Sequence, residues 1–230
     1  FFNLCSSAFI CGYCLFSFFS AAAAAQNADI LSGAAQIRVS DDIPPLHPWM
    51  LHGDGRSADW LGIPFRGKAL REPINILICD GISRTAEAAE KKLLDACSRA
   101  GFLDRYGHSS DYLAVIGGKA VAQFPSVKKH SFSDEPFFEM NNHGRIFGPV
   151  RYKGKFWFCA SFSREKARLK PLEHEYVSFN QARDAFAWSA DLEGTYRVRK
   201  FLSLGNVMLG SDAVSSGDHD GIAVLLDAGK

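Results

Sequence analysis

Lys155 to Ser163 reads Lys-Phe-Trp-Phe-Cys-Ala-Ser-Phe-Ser, and this run constrains the fold more than any other part of the chain. In an extended strand, alternate side chains point to opposite faces. Phe156, Phe158, Ala160 and Phe162 then share one face, while Trp157, Cys159 and Ser161 share the other. Both faces are largely apolar, which predicts a central strand rather than an edge strand. Arg145 to Val150 reads as its partner, with Tyr152-Lys153-Gly154 forming the turn between them.

The neighbouring segments give the rest of the architecture. Ile74 to Cys79, bounded by Pro73 and Asp80-Gly81, is a continuous apolar run and predicts a buried strand. Ser83 is placed to cap a helix whose stripe is Ala86, Ala89, Leu93, Ala96, Cys97 and Ala100, with Gly101 at its end. Tyr112 to Ile116 reads as a short strand closed by Gly117-Gly118. Ser178 and Gln181 form a capping box for a second helix with Ala182, Ala185, Phe186 and Ser189 inward. Val198 to Leu204 and Ile222 to Leu226 are the last strands. The order predicts an α+β fold, a mixed β-sheet with two main helices packed on it, over residues 71–230. Residues 26–70 read as an irregular N-terminal arm. Its prolines at Pro44, Pro45 and Pro48 exclude helix, and Trp49 and Trp60 pack it on the body.

Residues 1–28 carry no charge, and Ala8 to Ala25 is an apolar run ending in five alanines. Residues 1–25 read as a signal peptide cleaved at these small residues. The alternative is an uncleaved signal-anchor, since the run approaches the ~20 residues that span a bilayer. Either reading predicts an exported domain, periplasmic or extracellular, free or tethered to a membrane. The 26 basic and 25 acidic residues give no electrostatic case for nucleic acid. Beyond the leader, Cys79, Cys97 and Cys159 are odd in number and lie in apolar surroundings, which predicts buried thiols rather than a disulfide framework. One bridge stays open in an oxidising compartment.

Three polar clusters carry the functional candidates. Asn142, His143 and Arg145 sit where an Asn-Asn-His-Gly turn enters a strand. Arginine binds carboxylate or phosphate bidentately, and histidine serves as acid, base or metal ligand. The bland alternative is a turn satisfying its own backbone. His174, Arg183 and Asp184 form the second cluster, either turned toward a cleft or solvated on a helix face. Ser216, Asp218, Asp220, Gly221 and Asp227 fall at positions 1, 3, 5, 6 and 12 of a calcium-type loop, which makes Asp218, Asp220 and Asp227 candidate metal ligands. The flanking strand and the terminal Asp argue for a simple turn instead. His108-Ser109-Ser110 lacks the glycine frame of a nucleophile elbow. Arg164 adds a further cation at a strand end.

Taken in order, these segments resemble the LssY C-terminal domain family, a bacterial group of unsettled function. Glu72-Pro73-Ile74-Asn75 resembles its opening "DPxN" strand, and Ala100-Gly101-Phe102 its "AGW". Asn142-His143-Gly144-Arg145 resembles "HHxRxW", with Asn142 in place of the first histidine. Phe156 to Ser161 resembles "VWVGAA", His174 with Arg183-Asp184 the "HH…ERD" segment, and Asp220-Gly221 the closing "DG". The resemblance covers roughly residues 71–228 and implies work at a membrane face.

Two functions follow from this reading. One is an accessory or binding domain whose cleft of Asn142, His143, Arg145, Arg164, Arg183 and Asp184 holds an anionic small molecule or lipid headgroup. The other is a hydrolase using His143, His174 and His219, with no cofactor or with a divalent metal on the aspartates.

Overall fold

The computed structural model describes residues 36–106, 111–125, 130–169 and 172–229. The leader and the His108-Ser109-Ser110 loop lie outside these residues. The fold is α+β, with a mixed sheet and two helices. In chain order its elements are β1 (Leu51–His52), β2 (Ala69–Leu70), β3 (Ile76–Asp80), α1 (Ala86–Arg99), β4 (Leu103–Tyr106), β5 (Tyr112–Ile116), β6 (Lys119–Phe124) and β7 (His130–Ser133). Then come β8 (Asn141–Tyr152), β9 (Lys155–Leu169), β10 (Leu172–Ser178), α2 (Phe179–Glu193), β11 (Tyr196–Ser203), β12 (Val214–Ser215) and β13 (Ile222–Ala228).

The main path of the sheet runs β1-β5-β6-β8-β9-β3-β13-β11. β8 pairs antiparallel along one edge of β9. On the other edge, β3 takes residues Phe156 to Ala160, and β10 takes over from Arg164 onward. β13 pairs parallel to β3, which makes the sheet mixed. β9 is therefore central, as its two apolar faces require.

Each face of β9 is covered by different parts of the chain. On one face, α1 and α2 pack Ala89, Leu93, Ala182 and Phe186 against Ile76, Ile78, Phe158, Ala160, Phe162 and Val224. Phe186 stacks on Phe162 at 4.2 Å between ring centroids. On the other face, the arm and β5 bring Ile43, Leu46, Met50, Ala58, Tyr112 and Ile116 onto Leu77, Trp157, Cys159 and Leu225. Fully burying one such side chain contributes roughly 1.5–3 kcal/mol. Trp60 is buried as expected, while Trp49 is only half-buried.

Several local expectations are corrected. α1 is capped by Thr85, whose side chain accepts from the Ala88 amide at 3.2 Å. Ser83 instead donates its hydroxyl to Asp80 at 2.6 Å. Ser178 does cap α2, accepting from the Gln181 amide at 2.9 Å. The inward stripe of α2 is rotated, however, to Phe179, Ala182, Arg183, Phe186, Ala187 and Ala190. Asn141 to Gly144 is strand, not turn. Gly144 is needed for close packing: a Cβ there would stand 2.4 Å from Cγ of Phe162. Cys79, Cys97 and Cys159 are free and buried. Burial pushes the Cys79 and Cys159 thiols up to about 12.

Candidate functional site

Asn141, His143 and Arg145 share the arm-side face of β8, and their register partners on β9 are Glu165, Ser163 and Ser161. All six are buried. Cross-strand partners point to the same face, so they form one continuous polar patch. It extends the row that begins with Phe147, Cys159 and Trp157, so the same sheet face changes from apolar to polar along its length.

Glu72, just after the arm, and Trp60 of the arm close this patch. Glu72 places Oε2 3.6 Å from Arg145 Nη1, with both side chains about 1% exposed. The Arg145 guanidinium also lies over the Tyr112 ring, 4.7 Å from its centroid. Burial pushes the Glu72 carboxyl up, and the Arg145 charge opposes that shift. Trp60 of the arm donates its indole N–H to Ser163 Oγ at 3.1 Å.

Two imidazoles share one oxygen of Glu165. His174 Nδ1 lies 3.0 Å from Glu165 Oε1, and His143 Nδ1 lies 3.5 Å from the same atom. Burial would raise the Glu165 carboxyl, yet its contacts with His143, His174 and Asn141 prevail and hold it at about 2. His143 is fully enclosed, and desolvation lowers its pKa despite the carboxylate. His174 is partly exposed, and Glu165 raises its pKa above the ordinary value. At neutral pH the resulting state is a neutral His143, an ionised Glu165 and a His174 biased toward the cation. The buried half of the network thus stabilises charge on the one member that reaches the surface.

That member opens into a pocket of about 490 Å³ lined by Trp60, Ile63, Pro64, Phe65, Arg66, His174, Glu175 and Tyr176. Its aromatic walls interlock: Tyr176 meets Trp60 edge-on at 5.8 Å and Phe65 edge-on at 5.0 Å. Glu175 is paired with Lys166 at 3.3 Å. No carboxylate pairs with Arg66 among the described residues; its guanidinium lies 5.1 Å from the Phe65 ring centroid. The cationic groups facing the pocket are therefore His174 and Arg66.

The other predicted site residues lie elsewhere. Asn142 and Arg164 are register partners on the opposite sheet face from His143. Asn142 donates to Asp134 through its amide and side chain, while Arg164 reaches Met140 Sδ at 3.1 Å. Arg183 is buried and donates to Asp184 at 2.7 Å, to Asp220 at 2.6 Å and to the Ile222 carbonyl at 3.0 Å. It ties α2 to the start of β13. His219 is a core histidine whose Nε2 lies 2.9 Å from Asn206 Oδ1. The Asn206 amide is already donating to the Pro48 and Ile74 carbonyls, so the imidazole N–H must donate to its oxygen. Burial lowers His219 to about 4. The structure thus brings His143, Arg145 and His174 into one network and leaves Arg164, Arg183, Asp184 and His219 outside it.

The loop before β13 is built as a helix cap. Asp218 accepts from the Tyr176 and Ser178 hydroxyls and from the Phe179 amide. Gly217, at φ 61°, leaves room for the Tyr176 hydroxyl, with which a Cβ would clash. Asp227 sits five residues beyond Ile222 along β13, roughly 17 Å away at strand spacing, so it does not converge with Asp218 and Asp220. Among the described residues, no three His, Cys, Asp or Glu side chains are grouped to hold a metal ion. No helix among them is long and apolar enough to cross a membrane.

Sequence reasoning missed Glu72, Glu165, Phe65, Arg66 and Tyr176. A usable signal was present for Glu165: Ser161, Ser163 and Glu165 occupy the same alternating positions as Trp157 and Cys159. Polar groups on the buried face of a central strand call for partners. Comparison with known protein families, with curated proteins and with solved structures found no match, so the resemblance to the LssY C-terminal domain rests on the quoted residues alone.

Proposed function

We propose that this chain is an exported or membrane-tethered binding domain, LssY-C-like, that takes an anionic ligand in the pocket at His174 and Arg66. One observation carries the proposal. His174, 3.0 Å from the buried Glu165 carboxylate and raised in pKa by it, lines the same pocket as Arg66. An imidazole whose protonated form is favoured by a buried carboxylate, lining the same pocket as a guanidinium, suits recognition of carboxylate or phosphate at small reorganisation cost. The buried pairing of Arg145 and Arg183 assigns them structural work, so the anion site is smaller than the cleft drawn from the sequence.

NMR of the ¹⁵N-labelled imidazoles tests this, with inorganic phosphate titrated into the full chain. Phosphate is expected to shift the His174 resonances, to bind more weakly as pH rises through the raised His174 pKa, and to lose its site in His174→Gln. An undisturbed His174 with millimolar phosphate and with acetate overturns the proposal. A hydrolase remains the second reading, because a carboxylate-oriented histidine at a pocket wall has the geometry of a general base. Turnover of an aryl phosphate or aryl ester, abolished in His174→Gln, distinguishes it from binding alone.

A further inference from the structure

The walls of the pocket say more about its ligand than the two cations do. A bare inorganic anion needs donors and charge, yet the half-buried Ile63 and Phe65 and the exposed Pro64 also line the pocket with apolar side chains. The volume of about 490 Å³ lies in the range of organic ligands with tens of atoms. The apolar character also continues past the rim. The connection between β7 and β8 carries Phe137, Phe138 and Met140, exposed by 42%, 61% and 48%. Phe137 lies beside His174, with 6.5 Å between the two ring centroids. Phe138 extends the surface outward, edge-on to Phe137 at 5.6 Å. Exposed apolar groups scattered singly are ordinary, but two adjacent phenylalanines reaching from His174 outward form a patch, while Met140 turns to Arg164.

Resting on the anion-pocket reading, we propose that the ligand is an amphiphile, a phosphate or carboxylate joined to an apolar chain. The anionic end pairs with His174 and Arg66. The apolar part lies against Phe65 and Ile63 and leaves across Phe137 and Phe138. A soluble monoester and a lipid headgroup with its acyl chains share this chemistry.

Calorimetry on the full chain compares inorganic phosphate, octyl phosphate below its micellar concentration, and octanoate. Each fully buried methylene strengthens binding about fourfold, so even partial burial of an octyl chain gives a gain on the order of a hundredfold over phosphate. The double variant Phe137→Ser, Phe138→Ser sits on exposed positions. It is expected to lose most of that gain while binding inorganic phosphate as before. Sedimentation with phosphatidylcholine vesicles containing phosphatidic acid, against phosphatidylcholine alone, separates the sources. Co-sedimentation that depends on the two phenylalanines assigns a bilayer lipid. Tight octyl phosphate binding without co-sedimentation assigns a soluble amphiphile. If octyl phosphate binds no tighter than phosphate, while phosphate still shifts His174, the amphiphile is overturned and the anion pocket stands. If no anion shifts His174, both fall.

Discussion

Replacing Glu165 by Gln removes the charge on which the network turns while keeping its shape. The carboxyl is held at about 2 rather than the ordinary 4.5, a shift of about 2.5 pH units. At 1.36 kcal/mol per unit this corresponds to about 3 kcal/mol of preference for the ionised form in the fold. Burial keeps His143 neutral at pH 7, so the part that needs a charged His143 is absent there. That part is the largest of the effects lowering Glu165, so the expected loss at pH 7 is about 1–2 kcal/mol, a sizeable part of the margin of a marginally stable domain. A depressed carboxylate contributes its stability fully above the unfolded pKa and loses it as pH falls through the folded pKa. The wild-type advantage over Glu165→Gln should then hold from pH 7 to about 5 and shrink by about 1 kcal/mol by pH 3.5. Urea denaturation of both proteins across this range, followed by Trp fluorescence, measures it. An advantage below about 1 kcal/mol at pH 7, or one that does not change with pH down to 3.5, would refute the electrostatic account of the site.

Two further outcomes follow from the packing. Gly144→Ala drives a methyl group into the Phe162 ring and should destabilise by about 1–3 kcal/mol, read as a lower urea midpoint with an unchanged slope. Cys79, Cys97 and Cys159 should resist alkylation in the native protein and label only in denaturant, because burial suppresses their thiolates; peptide mapping by mass spectrometry checks each one.

Much of the fold was legible because its signals are local. The double-faced apolar pattern of Lys155 to Ser163 identified β9, and Ser178 with Gln181 located the start of α2. The site was less legible because its contacts are not local. Glu72 meets Arg145 and Trp60 meets Ser163 across large sequence separations, and no periodicity records such pairings. Gly144 beside two asparagines imitates a turn, whereas its real cause is a ring from the neighbouring strand. The polar run from His174 to Ser178 masked β10, although His174 and Tyr176 alternate with Glu175 and Val177 as a strand does. Arg183, read in the sequence as turned toward a cleft or solvated, lies within the buried stripe of its helix, because Asp184, Asp220 and a carbonyl of Ile222 satisfy its guanidinium.

The change in character along β9 is the feature that stability alone does not explain. From Trp157 to Cys159 the arm-side face is apolar; from Ser161 to Glu165 it is polar and equally buried. Burying charge costs several kcal/mol per ion, and a buried pair such as Glu72 with Arg145 can often be replaced by apolar side chains without loss. A chain selected only to fold could have continued the Phe-Trp pattern under the same arm. Here each polar residue instead hands its partner toward one exit: Glu72 orders Arg145, Trp60 fixes Ser163, and Glu165 draws two imidazoles to a single oxygen. Only His174, with Arg66 alongside, meets the pocket. The arm is what keeps water from the other members. Deleting its Trp60 lid should therefore weaken the hold of Glu165 on His174 by admitting solvent, even though the Trp60 hydrogen bond goes to Ser163 and not to either charge.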